Sequence, residues 1–158
     1  MVSLIPIAWA MGCASNDTLP DDDTGITSTV LPDVADVVSV EVDSDGDLHT
    51  FSVGLLSPDV DCDQYADWWE LLSVDGSLVY RRILNHSHVD EQPFVRSSTP
   101  IKLASNTPLI VRGHMHPVGY GGRMFTGTIS AGFTQYTGKS DFADGLEKQE
   151  PLPDDCLF

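Results

Sequence analysis

The chain has 158 residues, a length suited to one domain, and 41% of them are hydrophobic, so a true core can form. Its formal net charge of −16 weighs against nucleic acid and acidic lipid surfaces as partners. The charge is lopsided: residues 1–80 hold sixteen of the 24 acidic residues and no Lys or Arg, whereas residues 81–158 are neutral overall. Such asymmetry marks an acidic linker beside a balanced fold.

At the N-terminus, Leu4-Ile5-Pro6-Ile7-Ala8-Trp9-Ala10-Met11-Gly12-Cys13 resembles a bacterial lipoprotein signal ending in a lipobox. Small residues at Ala10 and Gly12 suit a signal peptidase, and the Cys13 thiol is the expected lipid acceptor. Ala10 stands where such signals usually carry Leu, and no Lys or Arg precedes the apolar run, so the true start is expected upstream. Residues 1–12 are thus assigned to the signal and 13–34 to a lipid anchor with an acidic linker. That linker, with Asp21-Asp22-Asp23-Thr24-Gly25 at its centre, has too little apolar surface to fold alone. No run of 18 apolar residues occurs, and no transmembrane helix is predicted.

From Val37 the pattern turns to period two, the signature of half-buried strands. Val38, Val40 and Val42 are expected on one face, with Ser39 and Glu41 opposite. Asp45-Gly46 marks a hairpin, after which His49, Phe51, Val53 and Leu55 alternate with polar or small residues. Trp68–Ser73 and Leu78–Leu84 form a second pair around Asp75-Gly76. Ile101–Leu103 reads as a short edge strand. Leu109–His116 and Met124–Phe133 form the last pair, joined through Gly119, Gly121 and Gly122. No segment has a helical period. About seven strands over residues 35–133 predict an all-β antiparallel sandwich resembling immunoglobulin and fibronectin type III domains, with a small barrel as the competing architecture. The stretch from Trp68 through His88 to Gly122 resembles uncharacterised bacterial secreted proteins, a likeness that implies no particular activity. Residues 134–158 read as a tail.

Three cysteines in an exported chain leave one to explain. Lipidation of Cys13 explains it and predicts a Cys62–Cys156 disulfide pinning the tail, worth about 4–5 kcal/mol in the chain-entropy model.

The strongest constellation is a pair of His-x-His units, His86-Ser87-His88 and His114-Met115-His116. On extended chain, residues two apart point the same way, so each unit can offer two imidazoles to one ion. Arg112, His114 and His116 fall on the polar face of their strand, with Leu109, Val111 and Met115 opposite. If the two units meet, with Asp90 or Glu91 nearby, the set suits Zn²⁺ or Cu²⁺. His86-x-His88-x-x-Glu91 resembles the cupin metal motif and would imply metal-dependent chemistry. It is one or two residues short before the Glu, however, and lacks the upstream Gly and a second histidine motif. Asp59, Asp61, Asp63 and Glu70 follow EF-hand spacing, but Gln64 stands where that loop needs Gly. Trp68 and Trp69 must face opposite sides of a strand, one of them in the core. No nucleophile elbow and no phosphate-binding glycine loop occurs.

The sequence therefore predicts an exported, membrane-anchored lipoprotein of the cell envelope, at the outer membrane and facing the periplasm or the surface. Its sandwich is expected to be non-enzymatic and to bind a protein or small ligand or to act structurally. The alternatives are a transition-metal-binding protein and a cupin-like enzyme.

Overall fold

The computed structural model describes residues 33–139 and 141–157; the signal, Cys13 and nearly all of the acidic linker lie outside them. Two antiparallel sheets face each other. The first contains β1 (Asp36–Asp45), β2 (Leu48–Leu56) and β5 (Phe94–Ser97), with β6 (Ile101–Lys102) also pairing β2. The second runs in the order β4 (Leu78–Ile83), β3 (Tyr65–Ser73), β7 (Leu109–His116), β8 (Phe125–Thr128) and β9 (Gly132–Gln135). Among the described residues the all-β sandwich is therefore established, with nine strands. Its sheets of four and five strands differ from the four and three of an immunoglobulin constant domain. Among the described residues no helix is long and apolar enough to cross a membrane.

The period-two residues meet in the middle. Phe51, Val53 and Leu55 of β2 pack against Trp69 and Leu71 of β3 and Val111 and Met115 of β7, all buried. The turns at Gly46 and Gly76 have φ of 63° and 89°, conformations that glycine adopts without steric cost. Two expectations need correction. A bulge between Val37 and Ser39 shifts the alternation of β1, so Val37 enters the core with Val40 and Val42 while Val38 does not. The expected strand Met124–Phe133 is two strands, β8 and β9, because the chain reverses through Ile129–Ala131. The segment Phe94–Ser97, unassigned in the sequence reading, forms β5 and pairs with β2.

Every residue of β3 from Tyr65 to Leu72 is buried, which means that both faces of the second sheet are covered. The core covers one face and the C-terminal segment covers the other. Glu70 is the pivot of the second contact. Arg81 donates from Nε and Nη2 to Glu70 Oε2 at 2.8 and 2.6 Å, and Arg112 donates from Nε to Oε1 at 2.8 Å. The remaining guanidinium donors reach the tail. Arg81 bonds the carbonyls of Leu146, Gln149 and Pro151, and Arg112 those of Phe142 and Ala143. A small apolar cluster of Leu72, Ile110 and Met124 packs against Tyr136, Phe142 and Leu146 beside it.

Cys62 and Cys156 form the expected disulfide, with a Cα–Cα distance of 5.6 Å. It is not the tail's sole attachment: it holds the last turn of chain, while the two arginines hold the segment before it.

Two outcomes follow. Glu70→Gln leaves two buried guanidinium groups without their carboxylate and should cost about 3–5 kcal/mol in urea unfolding. Reduction of the disulfide should raise amide exchange at Asp154–Leu157 first and leave the amides of Phe142–Glu150 protected until the arginine contacts also open.

Candidate functional site

The two histidine units occupy different surroundings. β4 ends at Ile83, so His86-Ser87-His88 lies in a loop where strand alternation does not hold. His86 is exposed, while His88 turns inward and stacks on Phe94 at 3.7 Å between ring centroids. Its Nδ1 is 3.6 Å from Asp59 Oδ2, too far for a hydrogen bond, and neither ring nitrogen has a partner among the described residues. The backbone N–H of His88 does bond Asp59, at 2.8 Å. Asp59 also accepts from Ser57 Oγ and the Ala66 N–H, which makes it the organiser of this loop end. Burial works against its charge, but the hydrogen bonds from His88, Ser57 and Ala66 outweigh that and hold its pKa below the ordinary carboxylate value. Asp90 is exposed, and Glu91 is taken by Arg96 in a two-pronged ion pair at 2.7 and 3.1 Å.

His114 and His116 lie on β7, on the face opposite Met115, as the alternation requires. They line a different cavity from the one lined by His86, His88, Asp90 and Glu91. Among the described residues no three His, Cys, Asp or Glu side chains gather around a common point, so the shared four-histidine centre is not formed. The spacing within each unit carries no information about the distance between a loop and a strand in different parts of the sheet. The EF-hand spacing, already at odds with Gln64, is not realised: Glu70 is buried on β3 between two arginines, and Asp61 caps its own turn through the N–H groups of Asp63 and Gln64.

What the second sheet does build is a cleft of about 880 Å³ between its outer face, the β7–β8 loop and the C-terminal segment. Asp67 is the extra residue of a bulge in β3 between Ala66 and Trp68. Bulges re-aim side chains, and this one turns Asp67 onto β7. Its Oδ1 lies 2.6 Å from His114 Nδ1. Trp68 sits directly across from His114 and stacks on it at 3.7 Å and 7°. Arg81 covers Trp68 at 4.4 Å, and Tyr120 meets the imidazole edge-on at 4.7 Å. Burial and the charge of Glu70 push the Tyr120 phenol up to about 12, so it remains protonated at neutral pH. Tyr65, also at the cleft, is raised by burial and by the charges of Asp67 and Asp59. The second tryptophan, Trp69, is in the core. Sequence reasoning missed Asp67, Tyr120 and the arginine pair. The alternation Arg112-x-His114 on a polar face was a signal for two of the residues involved, but nothing local announced the bulge that delivers Asp67.

No protein-family model matches the chain, and no solved structure matches it. It is similar to a protein of Halomicrobium mukohataei named "Putative lipoprotein", with 38% identity over 102 residues. The match covers 64% of this chain and 50% of that protein, so the chain spans about half the length of the curated relative it matches.

Asp59 yields a test with a definite sign. Its folded pKa is depressed, so its contribution is present above the unfolded value of about 4 and is lost as pH falls through the folded value. Asp59→Asn should cost about 1–3 kcal/mol at pH 7. The difference between variant and parent in urea unfolding should shrink as the pH is lowered through the acid range.

Proposed function

We propose that this chain is an exported lipoprotein, held to a membrane through lipid on Cys13, whose β-sandwich is a non-enzymatic binding module. The anchor reading is supported by the apolar run before Cys13, by the acidic stretch after it and by the name of the similar Halomicrobium protein. The Cys62–Cys156 disulfide fits an oxidising compartment outside the cytoplasm.

The observation that carries the binding reading is the cleft over the second sheet, where a buried imidazole is clamped by Asp67, Trp68 and Tyr120. Concave sites with a few fixed polar groups are the usual seats of small ligands. The described lining contains no Ser, Thr or Lys, and its two cysteines are joined to each other, which weighs against a hydroxyl, amine or thiol nucleophile there. The first described residues run beside the β7–β8 loop: a Cβ on Gly122 would lie 2.1 Å from the Ala35 carbonyl oxygen. An anchor at Cys13 would therefore enter the domain next to the cleft.

Intact-mass analysis of the membrane fraction tests the anchor. The expected mature protein begins at Cys13 and carries acyl chains, and Cys13→Ser should move it to the soluble fraction or leave it unprocessed. A mature protein that retains Met1 at unmodified mass would overturn the reading. For the cleft, small-molecule shifts in NMR spectra of the full chain should gather at Tyr65, His114 and Gly119.

A further inference from the structure

We infer that Asn85 is an N-glycosylation site, whose saccharide covers the exposed apolar end of the C-terminal segment. This inference rests on the chain being exported and adds a covalent modification to the domain.

Asn85-His86-Ser87 is an Asn-x-Ser triplet without proline at its centre, the acceptor pattern for N-linked sugars on surface loops of exported proteins. Ser and Thr make up 26 of the 158 residues, so about one asparagine in six would meet the pattern by chance. The chain has three asparagines, and two of them meet it. The other is Asn16-Asp17-Thr18, outside the described residues; Asn106 fails, with Pro108 in the third position.

The fold presents Asn85 as an acceptor needs. β4 ends at Ile83, and Asn85 lies exposed in the irregular chain after it. Its backbone carbonyl accepts the Leu157 N–H at 2.6 Å, so the main chain is held while the residue stays at the surface. Leu157 follows Cys156, whose disulfide to Cys62 fits the compartments where such sugars are added.

Ser87 supplies an independent observation. Its Oγ is buried, yet it has no hydrogen-bond partner among the described residues. A buried hydroxyl without a partner costs stability that alanine at the same position would not. The hydroxyl serves no hydrogen bond of the fold, whereas an Asn-x-Ser acceptor requires it in the third position. Its burial also orders the events: the sugar is attached before this loop closes, while Ser87 is still within reach.

In the transfer, the Asn85 carboxamide nitrogen attacks the anomeric carbon of a saccharide carried on a polyprenyl phosphate or diphosphate. The N–C bond forms as the anomeric C–O bond breaks. The carrier leaves with that electron pair, and the amide gives one proton to a base of the membrane transferase. No oxidant or reductant takes part. The attached sugar would stand over an apolar surface: Leu157 is 67% exposed, and Val89, which borders the same cavity, is 44% exposed. A bulky, hydrated saccharide shields such a patch.

The test uses the full chain from membranes of its own organism, digested and mapped by tandem mass spectrometry. The peptide containing Asn85 is expected to carry added mass made of whole sugar residues, with fragments that keep one sugar on Asn85. Asn85→Gln should lose this mass. Ser87→Ala should lose it too while retaining the Cys62–Cys156 disulfide and membrane attachment, and Ser87→Thr should restore it. Bare Asn85 in protein whose Cys13 is lipidated overturns the glycan and leaves the export reading standing. A sugar that persists in Ser87→Ala, or that sits on Asn16 alone, also overturns the assignment. Bare Asn85 in a chain that retains Met1 and an unmodified Cys13 overturns export and glycan together.

Discussion

Glu70 holds two arginines, and through them the segment Phe142–Pro151 depends on one buried carboxylate. A sheet covered on one side only would leave the outer face of β3 wet, and Trp68, Leu72 and Ile110 exposed. Instead the face carries an Arg–Glu–Arg arrangement whose inner donors satisfy the carboxylate and whose outer donors satisfy the carbonyls of Phe142 to Pro151. Buried charges are tolerated when paired and fully hydrogen-bonded, and irregular backbone can be buried only when its carbonyls find donors. Here the two requirements meet each other's need. The tail is held chiefly by hydrogen bonds from charged donors, with Tyr136, Phe142, Ala143 and Leu146 adding apolar contacts.

The same sheet owes its cleft to an irregularity. Without the bulge between Ala66 and Trp68, Asp67 would occupy an ordinary alternating position on β3 and would not be the extra residue delivered to His114. The bulge also sets Trp68 opposite His114, so one local defect provides the hydrogen-bond partner and the stacking partner of the same imidazole. The disulfide closes the far end of the cleft, since both of its cysteines line the wall. The C-terminal wall, the oriented imidazole and the covalent closure are thus contributed by three segments far apart in the chain.

Much of the sandwich was legible from local pattern. Phe51, Val53 and Leu55 alternate with polar or small residues, and the Asp-Gly pairs at 45–46 and 75–76 sit where the hairpins turn. The polar face of β7 and the pairing of Cys62 with Cys156 were also readable. The shift of Val37 into the core and the splitting of Met124–Phe133 were not, because a bulge and a reversal are settled by cross-strand partners rather than by local alternation. The histidine units illustrate the same boundary. His114 and His116 kept the geometry that a strand imposes, whereas His86 and His88 fell in a loop and point to different environments, one exposed and one buried.

By itself the sequence determined the all-β class, the main hairpins, the polar face that bears His114 and the cysteine pairing. Each of these depends on short-range periodicity, turn chemistry or simple counting. Only the tertiary structure decided that Glu70 is a buried anchor rather than an ion ligand, that Asp67 orients His114, and that the two His-x-His units stand apart. These outcomes depend on which strands become neighbours and on where the register slips, and neither is encoded in the spacing of residues along a single segment.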